Sequence, residues 1–369
     1  MTMHARLVDL TAVTAADPDA SSGAGLADAD LADLANLRVL VVGSGLIGTS
    51  VGMALRRHGT DVLLHDRRPA QTAVAASRGA GRVWPFPDPR PAGIVRPRSA
   101  GGADDLAADV GALVADARQA VDHVVIAVPP RDVGRTLLAW QRLLPEATFS
   151  DTASVKVEPL TDAERLGADM SRICGAHPVA GRERGGPEWA LQDLFANRPW
   201  VITPSAATSP LAERHARLVA VGCGAWVTRL DPHTHDFALG LLSHLPHIVA
   251  SAIAARLAGM PEDLARLAGP GLMDFTRIAG ANADLWTEIV EANASPLADL
   301  LDDVIADLGR VRDALGAGTG GGGGAAPVVE SLFQLGNTGR DRLEAARSLP
   351  TTRGALGERL SGIDGLRSA

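Results

Sequence analysis

Short, continuous apolar runs recur through the larger, N-terminal part of the 369-residue chain. Residues 37–42 (LRVLVV), 61–65 (DVLLH) and 121–128 are rich in Val and Leu and do not alternate with polar residues. Each reads as a strand buried on both faces of a parallel sheet. Residues 148–151, 200–203 and 225–230 are further strand candidates. Between the first two runs, residues 49–58 carry apolar side chains at helical spacing and stop at Gly59. After Asp231 the strands cease. From His235 to about Leu315 the pattern is helical, with breaks at Gly259-Met260-Pro261, Gly269-Pro270-Gly271 and Ser295-Pro296. The last pair reads as an N-cap followed by proline at the first helical position. A final helix is expected from about Val328 to Ser348. Strand–helix alternation followed by helices alone predicts an α/β domain and then an all-α domain.

The segments between these elements set the boundaries. Residues 1–35, rich in Ala and Asp, read as a loose tail with one short helix at most, and lack the apolar core of a signal peptide. The α/β domain is expected over 36–232 and the helical domain over 233–350. Residues 84–103 are dense in Pro and Gly and read as a surface loop. Residues 316–324 read as a flexible glycine linker, and 351–369 as a C-terminal tail. Residues 238–255 are apolar enough to resemble a membrane span, but they contain two His and a Pro, which favours a buried helix and no membrane partner.

Composition narrows the chemistry. The net charge is −8, so no basic surface for nucleic acid is expected, whereas a small anionic substrate remains open to local Arg. Two cysteines, Cys174 and Cys223, make no disulfide framework and point to a reducing cytoplasm. The chain has no Tyr, and of its 35 basic side chains all but Lys156 are Arg. No phenol can therefore act as acid or base, and any catalytic ammonium must be Lys156.

One loop is explicit. Gly43-Ser44-Gly45-Leu46-Ile47-Gly48 falls between a predicted strand and a predicted helix, and Asp66 ends the next strand. That is the context of the Rossmann-type dinucleotide fingerprint. Gly43 permits the tight turn, Gly45 lets backbone N–H groups approach the pyrophosphate, and Gly48 lets the helix pack on the strand. Asp66 is placed for the adenosine ribose hydroxyls, which favours NAD over NADP, although Arg67 and Arg68 follow at once. Val128 and Pro129, closing the 121–128 strand, complete the expected cofactor contacts.

Further motifs gather between Ser150 and Trp286. They are Asp151-Thr152-Ala153-Ser154-Val155-Lys156, then His177-Pro178-Val179-Ala180-Gly181-Arg182-Glu183, then Ser243-His244-Leu245-Pro246-His247. The last is Asp274-Phe275-Thr276-Arg277-Ile278-Ala279, followed by Trp286. His244 and His247 share a helix face, with Pro246 expected to kink that helix. No third ligand accompanies the pair, so no metal is expected. Together with the glycine loop, these segments resemble the prephenate/arogenate dehydrogenase family over about residues 37–312, plus the helix bearing Gly336-Asn337-Thr338-Gly339-Arg340.

The resemblance implies NAD-dependent oxidative decarboxylation of prephenate to 4-hydroxyphenylpyruvate, or of arogenate to tyrosine. It implies that His177 accepts the ring-hydroxyl proton and that Ser154 positions the site. Arg277 would anchor a substrate carboxylate, and His244, His247, His235 and Glu183 would line the substrate pocket. Lys156, inside the Ser154 motif, joins the candidate substrate contacts. The resemblance further implies a homodimer formed through the helical domain. With few residues after Ser348, no regulatory domain is expected there.

Of three rival readings, two differ in their residues. A β-hydroxyacid dehydrogenase needs an Asn four residues after its Lys, but Lys156 is followed by Val-Glu-Pro-Leu. A non-catalytic NAD(H)-binding protein would not need His177, Ser154 and Arg277 together. A 4-amino-4-deoxyprephenate dehydrogenase of a secondary pathway shares the same motifs.

Overall fold

A computed structural model describes residues 28–89, 121–182, 184–318 and 325–348. Glu183, the tail before residue 28, the loop beyond residue 89, the linker from residue 319 and the C-terminal tail lie outside the described residues. Eight strands form one sheet: β1 (Arg38–Val42), β2 (Asp61–His65), β3 (Arg82–Val83), β4 (His123–Ile126), β5 (Thr148–Asp151), β6 (Ile173–Pro178), β7 (Pro199–Thr203) and β8 (Trp226–Arg229). Their order across the sheet is β3-β2-β1-β4-β5-β6-β7-β8. Every neighbouring pair is parallel except β6 with β7.

Helices cover both faces, which is why the central strands read as unbroken apolar runs. Val39 and Val41 of β1 enter one core, with residues of α1 (Asp28–Asn36), α2 (Leu46–Arg56) and α6 (Pro210–Gly222). Leu40 and Val42 enter the other, with α4 (Pro130–Leu143) and α5 (Val157–Arg165). One further helix, α3 (Pro69–Ser77), follows β2.

Sequence pattern and structure part at identifiable places. The one short helix allowed within residues 1–35 is α1, and it is packed onto the sheet domain: Leu34 is completely buried and its carbonyl accepts the Thr60 hydroxyl at 2.9 Å. Trp84, at the start of the expected surface loop, is buried, with its ring edge-on to Phe86 at 5.1 Å and to Trp140 at 5.7 Å. β6 was not expected, since its sequence ICGAHP holds few strong strand formers.

The helical region begins with α7 (Pro232–Leu239), widens into a π-helical turn at Gly240–His244 and continues as α8 (Leu245–Arg256). Pro246 has no N–H to donate and its ring crowds the preceding turn, so the extra residue in that turn accommodates it. Then come α9 (Glu262–Ala265), α10 (Pro270–Thr276), a 3-10 turn at Arg277–Gly280, α11 (Ala283–Ala292), α12 (Ala294–Gly318) and α13 (Ala326–Ser348). α12 starts at Ala294, so Ser295 lies inside the first turn and is not its cap, and the helix runs on through Gly316. Pro232–Arg256 is long and apolar enough to cross a membrane by length and composition, yet it buries His235, Asp236 and His244 in the protein.

By compactness, Gly240–Pro246 and the chain from Ala294 form one unit, and the sheet with His247–Asn293 forms another. In the first, Leu245, Leu297 and Leu300 are buried, while Leu308, Leu315, Phe333, Leu335 and Leu343 are exposed. The second carries the features described next.

Candidate active site

In a parallel sheet, ligands meet the C-terminal ends of the strands, where the order reverses. Here that point lies between β1 and β4, and the loop after β1 is the glycine loop. Its three glycines do different things. Gly43 has φ +107°, and a Cβ there would lie 2.1 Å from the Ala127 carbonyl oxygen. A Cβ on Gly48 would lie 1.9 Å from the Gly43 oxygen. Gly45 faces open space, with nothing within 4 Å of a Cβ, and caps the N-terminus of α2 without any side-chain bond. An uncapped, accessible helix N-terminus suits a phosphate.

The rest of the loop is anchored. Ser44 is buried and its N–H donates to Asp66 Oδ2 at 2.8 Å. Leu46 is buried and Ile47 packs against the core, so these two offer a ligand their backbone only. Asp66 Oδ1 accepts the Arg68 N–H at 2.8 Å. Arg67 donates to Asp132 Oδ2 at 3.2 Å from an exposed side chain. Val128 packs against the second core, and the Pro129 carbonyl accepts the Asp132 N–H at 2.9 Å in the first turn of α4. An open glycine at a helix N-terminus beside a carboxylate with spare lone pairs fits a nicotinamide dinucleotide.

Further along the same edge, the ends of β5 and β6 hold a buried polar cluster. Lys156 is fully buried; it pairs with Asp151 and donates to the Ala176 carbonyl at 2.7 Å. Asp151 Oδ1 also accepts the Ala153 N–H at 2.9 Å. The ammonium thus ties the turn carrying half-buried Ser154 to both strands. Lys156 was expected among the substrate contacts; with no exposed surface, it holds the turn instead.

His177 lies on β6 next to this ion pair. Its Nδ1 is 2.8 Å from His235 Nε2, and His235 Nδ1 is 2.7 Å from Asp236 Oδ1. The two rings meet edge-on, 5.1 Å apart. Asp236 also accepts the N–H groups of Lys156, at 2.7 Å, and Val157, at 2.8 Å, at the start of α5. The Asn293 amide donates to the Asp236 carbonyl at 2.8 Å. His235 too was expected to meet substrate, but it has no exposed surface and stands behind His177. Burial pushes His235 below the usual histidine range, against the pull of its bond to Asp236.

The remaining expected residues are spread out. His247 is half-buried and stacks on Trp286, with ring centroids 3.5 Å apart and 20° between planes. Arg277 is exposed at the end of α10. His244 is buried in the other unit. Glu183 lies outside the described residues. Several structurally important residues had no assigned role from sequence: Asp236, Asp151, Asn293, and the pair Arg131–Glu288, which joins α4 to α11 at 2.8 Å. Adjacency to His235 was the one available signal for Asp236. Nothing local marks Asn293.

Comparison with known proteins agrees with this geometry. Family models match in two consecutive stretches: "Prephenate dehydrogenase, nucleotide-binding domain" over residues 98–229 and "Prephenate dehydrogenase, dimerization domain" over 231–320. A protein of Streptomyces niveus named probable prephenate dehydrogenase NovF is 31% identical over 316 residues, 85% of this chain and 79% of that protein. A cyclohexadienyl dehydrogenase of Zymomonas mobilis is 29% identical over 290 residues, 76% of this chain and 89% of that protein. Among solved structures, prephenate dehydrogenase from Aquifex aeolicus, in complex with hydroxyphenyl propionate and NAD+, superposes with a TM-score of 0.66. It is 26% identical and covers 83% of this chain and 98% of its own. With a nucleotide-binding sheet, a helical region and these relatives, the chain belongs to the prephenate/arogenate dehydrogenase family of oxidoreductases.

Proposed function

We propose that this chain catalyses the NAD-dependent oxidative decarboxylation of prephenate or arogenate. The observation that carries the reading is His177: a nearly buried imidazole at a strand end, held from behind, on the sheet edge that bears the glycine loop. When bound, the nicotinamide supplies the redox chemistry by accepting the hydride from the ring carbon.

The chain's own residues have three tasks. His177 takes the proton of the ring hydroxyl as the carbonyl forms; a neutral imidazole suits that exchange near neutral pH. The quaternary carboxylate then leaves as CO2, and its bonding electrons restore the aromatic ring. The resulting phenolate oxygen takes the proton back from His177, so no net proton is lost. Arg277 anchors a carboxylate, because a guanidinium fork matches two oxygens at once. Ser154 and His247 shape the pocket.

NAD is favoured over NADP by Asp66, whose negative charge at the end of β2 opposes a 2′-phosphate, and by the engagement of Arg67 with Asp132. A homodimer through the helical region is favoured by the exposed apolar side chains of α12 and α13 and by the description of the matching family model. The free, buried cysteines accord with a cytoplasmic protein.

The test measures reduced-cofactor formation with prephenate, arogenate and 4-amino-4-deoxyprephenate, each with NAD and NADP. Turnover on prephenate or arogenate with NAD is expected. Preference for the amino-substituted ring would reassign the substrate, and preference for NADP would overturn the role of Asp66.

A further inference from the structure

The hydrogen bonds behind His177 fix where its protons lie. An ionised carboxylate only accepts, so at the 2.7 Å contact with Asp236 the His235 Nδ1 must carry hydrogen. A neutral imidazole then has its lone pair on Nε2. That nitrogen lies 2.8 Å from His177 Nδ1, so His177 Nδ1 must donate. In neutral His177 the lone pair is consequently on Nε2. The charged groups around His235 hold this pattern. Asp236 is its direct partner, and the Lys156 ammonium, paired with Asp151, opposes a second positive charge beside it. Asp236 is itself immobilised by the N–H groups of Lys156 and Val157.

We infer that Asp236 and His235 are positioning residues that act through His177. They hold it as the Nδ1–H tautomer and present Nε2 as the basic nitrogen. The inference rests on the dehydrogenase reading above. The step balances without another reactant: the ring-hydroxyl proton moves to Nε2 and returns to the phenolate oxygen after CO2 departs.

The test uses the full chain and has two readouts. The first is the 15N NMR spectrum of histidine-labelled protein without substrate, with His177 assigned by its loss in His177→Asn. Wild type should show a protonated Nδ1 and an unprotonated Nε2 at His177, and His235→Leu should shift His177 towards the opposite tautomer. The second is steady-state kinetics. His235→Leu should lower kcat by about 100- to 1,000-fold, with KM and NADH affinity changed by less than about threefold. His235→Gln keeps an amide oxygen that can accept from His177, so it should recover about tenfold of that loss. Asp236→Asn leaves one amide oxygen for the three N–H groups the carboxylate accepts and sets an NH2 donor against one of the backbone N–H groups, so it should lower kcat in the same sense as His235→Leu; if it fails to fold, the two His235 variants decide. Wild-type His177 protonated on Nε2, or His235→Leu and His235→Gln both within about threefold of wild-type kcat, overturns the inference. A wild type inactive on every substrate sinks the functional reading instead, and the tautomer measurement still decides this one.

Discussion

Two charged regions on the same sheet edge are built in opposite ways. At the ends of β5 and β6, Lys156, Asp151, His235 and Asp236 are buried, and each is bonded to another member or to backbone. At the end of β2, Arg67 and Arg68 have side chains 62% and 71% exposed and meet Asp132 and Asp66 at 3.2 and 3.7 Å. Burial makes the first set rigid, because losing one partner strands another in low dielectric. Exposure makes the second weak and screened. The proposed reaction geometry thus falls where change is expensive, and the charges proposed to meet the cofactor where it is cheap.

That contrast can be broken from its strong end. His177→Asn should lower kcat by about 10²- to 10⁴-fold while NADH binding, followed by fluorescence titration, stays unchanged. Near-normal kcat would remove His177 as the base. Lys156→Met should cost about 3–5 kcal/mol in urea unfolding, because Asp151 is left buried without its cation; a loss below about 1 kcal/mol would put the pair in the exposed class. Arg277→Ala removes a charged anchor worth about 1.5–3 kcal/mol in kcat/KM, carried mainly by KM. A fall in kcat alone would assign Arg277 to the chemical step.

Acid should separate the regions further. Burial lowers the pKa of His123 well below its usual value, and lowers those of His215 and His235. His123 and His215 share Thr148, each at 2.8 Å from its hydroxyl. The unfolded chain therefore takes up protons first. Their contribution is fully present above about pH 6.5 and is lost as pH falls below it, by about 1.4 kcal/mol per pH unit for each ring still neutral in the fold. Urea midpoints that stay flat from pH 7 to pH 5 would contradict this. The smallest effect belongs to the exposed end: Arg67→Ala should change stability by less than about 1 kcal/mol and shift the NAD-to-NADP ratio only modestly.

The sheet was legible in sequence to the extent that its strands are made of Val and Leu. β1, β2 and β4 stand out because both faces are buried. β6 does not, because Cys, Gly, Ala, His and Pro carry no strand signal, and its place comes from its neighbours. The glycine loop was legible because steric demands act within a few residues. Lys156 and His235 were located but their burial was not foreseen, since a motif marks that a residue matters and not which way it faces. The bond from Asn293 to Asp236 spans 57 residues and has no local trace.

The burial of Lys156 has a practical consequence. It is the sole lysine in the chain, so the folded protein displays no ε-amine to acylating enzymes, amine-reactive dyes or lysine crosslinkers. Any label that reaches that nitrogen must wait for β5 and β6 to part. Slow acylation of one lysine, followed by mass spectrometry, thus becomes a clock for the opening of this single part of the molecule.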